Sequence, residues 1–243
     1  MSLLIAYIEK DPLRRLHIND YKKEEHSGHV FCPYEHALIG KQGLKKTWHF
    51  AHVTASDCEA SRLMGSFHRW WQDRVIDDFL EIRMQKEEIK HIADMVNGDD
   101  LVIEFQKSVV PQSVIIDRES FYGNMIWIIC CSEGHTFKEV KTCGRYKRLR
   151  MQAGSKFFLD IKKRMFLDFD LRGVLEVLKI MKKDTSKPEF IVKVWTQTEF
   201  DEQFMRGCLK PDCDTRVHRP PYEVQEKDVK YEDAEKILMS KGK

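Results

Sequence analysis

The chain has 243 residues, a formal net charge of +2, 33% charged residues and 42% hydrophobic residues that include 14 Phe and 5 Trp. That length suits one or two domains with a packed core, and the near-neutral balance excludes a globally basic chain, so any nucleic-acid surface must come from local segregation of charge. No apolar run approaches the roughly 20 residues of a membrane span, and the opening MSLLIAYIEKDPLRR lacks the order of a signal peptide. Seven cysteines, an odd number, then point to reduced thiols or metal ligands in an intracellular, cytoplasmic protein rather than to a disulfide scaffold.

Residues 3–8 (LLIAYI) predict an opening strand, and the polar stretch 10–28, with a turn signal at Asn19-Asp20, predicts irregular structure. Residues 29–53 hold short apolar pieces separated by Cys32-Pro33, Gly40 and Gly43, the pattern of a small module of two or three strands. Cys32, His36, His49 and His52 lie in it, with Cys58 just beyond. Cys and His at that density suit a tetrahedral zinc site, for which Cys32, His49, His52 and Cys58 are the candidate ligands. An ordinary zinc fingerprint carries two tight ligand pairs, which this spacing lacks, so histidines that pack around a small sheet are the rival reading.

The clearest helical pattern runs over 66–82. Phe67, Trp71, Val75 and Phe79 recur every four residues, and Ser66 is placed to cap the helix. His68 and Gln72 lie one turn apart on the same face. Residues 90–96 (KHIADMV) and 101–107 (LVIEFQK) then read as two strands around Asn97-Gly98-Asp99-Asp100, a strong hairpin signal. Alternation puts Glu104 and Gln106 on one face of the second strand, Phe105 and Lys107 on the other. A two-residue turn at Asn97-Gly98 would pair Asp94 with Leu101. A loop with an odd residue count, or one bulge, is needed to set Asp94 opposite Glu104.

Pro111 to Tyr122 predicts a helix with the proline in its first turn, and Met125 to Cys131 (MIWIICC) predicts a strand buried on both faces, central in an α/β or α+β sheet. Residues 138–150 (KEVKTCGRYKRLR) are strongly basic, and Lys141, Arg145, Lys147 and Arg148 are candidate contacts to a phosphate backbone; an ordinary solvated charge cluster is the alternative. Beyond them come the apolar pieces FFLDI and MFLDF, a helical period from Leu171 to Ile180, a strand over Ile191–Trp195 and a short helix opening at Phe200. Cys208, Cys213 and His218 cluster near the end without a convincing fourth ligand. The polar tail 219–243 predicts loose attachment with a short helix over 232–240.

Hydrolysis of a phosphodiester needs a charge clamp on the phosphoryl oxygens and an activated water, which Mg²⁺ or Mn²⁺ held by carboxylates supplies. Asp94 and Glu104 are the natural ligand pair. Gln106 shares the face of Glu104 and can orient a water, but carries no charge. The plain alternative is an exposed hairpin aspartate and a solvent-facing strand glutamate.

Trp48-His49-Phe50-Ala51-His52 resembles the HFAH signature of the competence CoiA-like proteins, a predicted nuclease family. Phe31-Cys32-Pro33 is similar to the start of that family's zinc-ribbon-like motif. Asp57-Cys58 and Phe67-His68-Arg69-Trp70-Trp71-Gln72 resemble its next two segments. His91 to Asp94, Val102 to Ser108, Asp117 to Tyr122 and Trp127 to Ile129 are similar to its core elements in order and spacing, so that the likeness covers about residues 29–131. The resemblance implies a restriction-endonuclease-like PD-(D/E)XK fold, a mixed sheet flanked by helices. An N-terminal zinc-ribbon-like module over 1–62, a core over 63–218 and the tail 219–243 complete the expected organisation. It further implies that Asp94 and Glu104 bind the catalytic metal, with Gln106 and His68 in or near the site. The chain departs from the pattern twice: Gln106 stands where the core lysine is expected, and Glu35, followed by His36, stands where the ribbon's second cysteine is expected.

The resulting expectation is an α/β or α+β protein that cleaves DNA with Mg²⁺ or Mn²⁺, carries a structural Zn²⁺, acts on DNA as its partner and, like many nucleases of this fold, forms a homodimer. The alternatives are a catalytically weak or inactive relative that binds DNA or a DNA-processing partner, and a zinc-stabilised protein-interaction module.

Overall fold

β-Branched and aromatic residues recur along most of the chain, and strands carry the fold. The computed structural model describes residues 3–11, 13–44, 48–54, 58, 66–131, 135–154, 156–169, 174–181, 186–211 and 229–240. They fall into two compact units, Met1–Val96 and Asn97–Lys243. The architecture is mixed α and β with few helices, and none of the described helices is long and apolar enough to cross a membrane.

In the first unit, β1 (Ile5–Ile8) pairs antiparallel with β2 (Arg15–His17) on one side and with β3 (Val30–Phe31) on the other. A one-turn helix, α1 (Lys23–His26), lies in the stretch between β2 and β3. Both β2 and α1 fall within 10–28, where irregular structure is expected. β4 (Leu38–Lys41) and β5 (His49–His52) form a two-stranded ladder with Leu38 opposite His52. Leu3, Ala6, Ile18, Val30, Leu38 and Phe50 are buried together as its core. Tyr21 stacks edge-on against Phe50 at 5.5 Å, and its ring lies so close to Gly40 that a Cβ there would stand 2.4 Å from it. Only glycine admits that approach.

The helix expected over 66–82 is much shorter. α2 spans Ser66–Gln72, a turn follows, and β6 (Leu80–Lys86) pairs antiparallel with β7 (Ile89–Val96). Trp71, Val75 and Leu80 are buried as the apolar pattern requires. From Leu80 onward, pairing with β7 outweighs the continuing helical period.

In the second unit, β8 (Val102–Gln106) and β9 (Met125–Cys130) are parallel neighbours joined through α3 (Gln112–Tyr122), which Pro111 precedes as its N-cap. β12 (Arg164–Asp168) adds parallel to β9, and β13 (Val174–Met181) and β14 (Glu189–Trp195) continue antiparallel. A hairpin of β10 (Thr136–Cys143) and β11 (Tyr146–Ala153) closes the order β10-β11-β14-β13-β12-β9-β8. β9 is buried at every position, as its unbroken apolar run predicts.

The helical period read over Leu171–Ile180 is overturned for its described part. Val174–Met181 is a strand between β12 and β14, with an irregularity between Val177 and Lys179 that lets one side of the ladder slip by a residue. α4 (Gln197–Phe204) begins at Thr196 with a full capping box, and α5 (Tyr231–Met239) packs Ala234 and Leu238 on Tyr146 and Ile191.

Candidate functional site

The tight turn Cys32–His36 begins the first candidate site. Glu35 takes a left-handed conformation (φ 67°), Glu35 N–H donates to Cys32 O at 2.8 Å, and the His36 N–H donates to Cys32 Sγ at 3.3 Å. The turn thereby folds His36 Nδ1 back to 3.5 Å from Cys32 Sγ, while Cys58 brings a second sulfur to 3.8 Å. His52 completes a group of four whose ligand atoms all lie within 4.8 Å of one another. These spacings fit a metal ion: around tetrahedral zinc, two sulfurs stand about 3.8 Å apart and a sulfur and an imidazole nitrogen about 3.5 Å. Cys32-His36-His52-Cys58 could therefore hold a metal such as zinc.

His49 stands apart from this group. It and His52 are three residues apart on β5, so strand alternation turns them to opposite faces, and His36 stands in the cluster instead. His52 Nε2 is a buried ring nitrogen without a hydrogen-bond partner, and burial followed by the nearby His36 holds the ring below its ordinary pKa. A neutral imidazole is the form that ligates. Burial and the neighbouring Cys58 push the Cys32 thiol up to about 11. Without a cation the Cys32 thiol stays protonated at neutral pH; a bound cation would favour its thiolate. Asp57 and the side chain of Ser66 lie outside the described residues, as do Cys213 and His218. Cys208 is buried with its thiol donating to Met205 O at 3.0 Å.

The first unit also places His68 and Asp94. His68 Nε2 on α2 stands 3.3 Å from Asp94 Oδ2 on β7, and Gln72, one turn further along α2, donates to Asp94 O at 3.2 Å. Asp94 is buried. Beside it lies Glu81, a residue missed in the sequence because the long helical period absorbed it. Glu81 is fully buried with φ 48°, and its carboxylate accepts from Leu4 N at 3.3 Å and Ile5 N at 3.0 Å. Burial raises its pKa to about 7, against those two hydrogen bonds, and the Asp94 charge adds to the rise.

In the second unit the loop before β8 is closed by Asn97 N–H donating to Leu101 O at 3.0 Å. Three residues, Gly98 to Asp100, lie between, with Asp100 left-handed at φ 57°. Asn97 Oδ1 accepts from both Asp99 N and Leu101 N at 2.9 Å, which fixes this closure. The two-residue turn is thus not the one formed.

Every residue of β8 is buried, and Glu104 has no exposure at all. Its Oε2 accepts from Arg118 Nη1 on α3. Gln106 Nε2 donates to Ser108 O at 2.5 Å and approaches Ser108 Oγ at 3.3 Å. Glu119, next to Arg118, is also buried; its Oε1 accepts from Trp127 Nε1 at 3.2 Å, Lys162 N at 2.8 Å and Lys163 N at 2.9 Å. Arg118 was legible in principle. It shares the i, i+3, i+4, i+7 face of Ile115, Glu119 and Tyr122, where a cation is out of place unless it is paired.

The basic hairpin is held by its own unit. Lys141 Nζ donates to Ile237 O at 2.7 Å and Ser240 Oγ at 2.8 Å, and Arg148 donates to Leu238 O at 2.9 Å. Both thus satisfy terminal groups of α5, where the helix dipole favours cations. Arg145 pairs with Glu199 at 2.6 Å, Lys147 with Glu139 at 2.6 Å, and Arg148 and Arg150 share the buried Glu189.

Set against family models, curated proteins and solved structures, the chain matches none.

Proposed function

We propose that the protein is a metal-dependent DNA nuclease in which Asp94 and Glu104 hold Mg²⁺ or Mn²⁺ and Gln106 and His68 position the attacking water or the scissile phosphate. The observation that carries this reading is a pair of buried carboxylates, each set against a basic side chain. Asp94 is 3.3 Å from His68, and Glu104 is paired with Arg118. Buried acids are costly without such partners, and sites that handle charged substrates are where they gather. Two carboxylates are oxygen donors of the kind these ions take. The bound ion would supply charge against the phosphoryl oxygens and a more acidic water.

In the same reading, Cys32, His36, His52 and Cys58 hold a structural Zn²⁺, since two sulfurs and two imidazoles close the tetrahedron and leave no open position. The DNA backbone is the polyanion that the 138–150 hairpin would approach, through whatever charge its internal acids leave unbalanced. A second reading is favoured by one observation: the Gln106 amide is neutral and hydrogen-bonded to Ser108. On that basis the chain binds DNA, or a DNA-processing partner, with weak or no cleavage.

The deciding experiment incubates linear, circular and single-stranded DNA with the protein and Mg²⁺, Mn²⁺ or EDTA. Cleavage that needs metal and disappears in Asp94→Asn and Glu104→Gln, both shown to be folded, is the expected result. Absence of cleavage by the folded wild type, with salt-dependent DNA binding retained, would replace it with the binding-only reading.

A further inference from the structure

We propose that Arg118 is the positive charge of the nuclease site, acting on the scissile phosphate in place of the lysine that β8 lacks; this rests on the nuclease reading above. Phosphodiester hydrolysis builds negative charge on the phosphoryl oxygens as water attacks. The water oxygen forms a new bond to phosphorus and the bond to the leaving sugar oxygen breaks. The water's proton passes to solvent, and the leaving oxygen takes one up. A protein cation beside that phosphate stabilises the charge where it develops. β8 itself carries no cation: it runs Val102–Gln106, and Gln106 is neutral and tied to Ser108.

The cation comes instead from the helix that follows. Arg118 is the one basic residue in α3, and its guanidinium meets Glu104 Oε2 directly. Its side chain is only 16% exposed, so it points inward. Its neighbour Glu119 pins the helix by accepting from Trp127 Nε1 and from the backbone N–H groups of Lys162 and Lys163. Ile115 and Tyr122 bury the same face one turn to either side. Arg118 is therefore held in place before substrate arrives, which is what electrostatic catalysis asks of a charged group. A guanidinium carries five donors in a planar fork, and that fork matches phosphate as well as carboxylate.

The test moves the charge. Arg118→Gln removes it, Arg118→Lys keeps it, and Arg118→Gln combined with Gln106→Lys relocates it to the strand. Folding is checked by circular dichroism, cleavage by single-turnover kinetics, and DNA affinity by anisotropy with Ca²⁺ in place of Mg²⁺. The expected result is a fall in cleavage rate of about 100-fold in Arg118→Gln, the scale for loss of one preorganised donor, with DNA affinity nearly unchanged. Arg118→Lys should retain most of the rate, and the relocated charge should recover at least ten-fold of the loss. If Arg118→Gln fails to fold, Arg118→Lys, which keeps a cation beside Glu104, decides alone: a folded Arg118→Lys that loses about 100-fold in rate would overturn the proposal. A folded Arg118→Gln that cleaves like the wild type would overturn the proposal. So would a folded relocated-charge variant with no recovery, which would leave Arg118 as a counter-charge only. Failure of the wild type to cleave under any metal condition is a different result: it removes the nuclease reading and Arg118's role with it.

Discussion

In the first unit, strands of two to eight residues enclose a core built around Leu3, Val30 and Phe50, and the Cys/His group lies against that core through Cys32 and Cys58. In the second unit, long strands place Ile103, Phe105, Trp127, Ile128, Phe166 and Phe190 in a sheet interior where the apolar residues alone bury a large area. Apolar area stabilises in proportion to what is removed from water, so a deep sheet interior tolerates the loss of any one contact better than a small module does. The first unit depends on a few chemically specific points, the second on area with charges inserted into it. A change at one point should therefore act on the whole of the first unit, and in the second only where it strands a charge.

The hardest test of that contrast is Cys58→Ser. A structural zinc site in a small domain contributes on the order of 10 kcal/mol of binding free energy to folding. The expected outcome is loss of one bound zinc per chain and collapse of amide-exchange protection over 30–53, with protection over 102–130 retained. Metal analysis and hydrogen exchange read both quantities. Unchanged protection over 30–53 would mean that the first unit, like the second, stands on packing.

Next comes the buried pair of the second unit. Removing one partner of a buried ion pair leaves the other charge uncompensated and costs about 3–5 kcal/mol. Glu104→Ala should lower stability by that amount in urea unfolding. Glu104→Ala combined with Arg118→Met should recover much of it. A Glu104→Ala variant as stable as the wild type would show that Arg118 finds water, and that the interior beside β8 is wetter than its burial implies.

Much of this arrangement was legible in the sequence where a period was unambiguous. The unbroken apolar run MIWIICC gave the central buried strand, the helix after Pro111 formed as expected, and the alternation of LVIEFQK formed β8. The misreadings share one cause, a local period overruled by pairing at a distance. Residues 80–82, the end of the helix expected over 66–82, and the described part of the period over Leu171–Ile180 carry apolar residues at helical spacing, yet each has neighbouring strands to pair with. At the Cys/His group, density named the region but not the set. His49 and His52 looked equivalent in sequence, while strand alternation separates them, and the fold-back at Glu35 that brings His36 to Cys32 is a conformation rather than a motif. The Glu104–Arg118 pair spans 14 positions and two elements, and no spacing rule marks it.

Glu81 offers a pH test confined to the first unit. Its pKa lies near 7 in the folded chain against an ordinary 4.5. The folded state therefore holds a proton that the unfolded chain releases at lower pH. Stability from this group is fully present below about pH 4.5, falls as pH rises through about 7, and is lost completely only about a unit above that, at about 3 kcal/mol. Glu81→Gln keeps an acceptor for Leu4 or Ile5 and cannot ionise, so it should flatten this part of the profile. Urea unfolding of wild type and variant at pH 5 and pH 8 measures it; equal slopes would show that the Glu81 charge is compensated within the folded unit.

The smallest effect should come from the second unit's periphery. Thr196 Oγ1 accepts from Glu199 N at 3.1 Å, and Glu199 Oε2 accepts from Thr196 N at 3.1 Å, a reciprocal cap at the start of α4. Thr196→Ala removes half of it and should cost about 1 kcal/mol. Glu199 is held by Arg145 as well, at 2.6 Å, so the remaining half stays anchored and α4 should not detach. Phe200 and Phe204 of α4 pack on Phe166 at 5.1 and 5.0 Å, and that contact is independent of the cap. A loss well above 1 kcal/mol would mean that the cap sets the angle at which these rings meet the sheet. The second unit would then depend on a point as the first does.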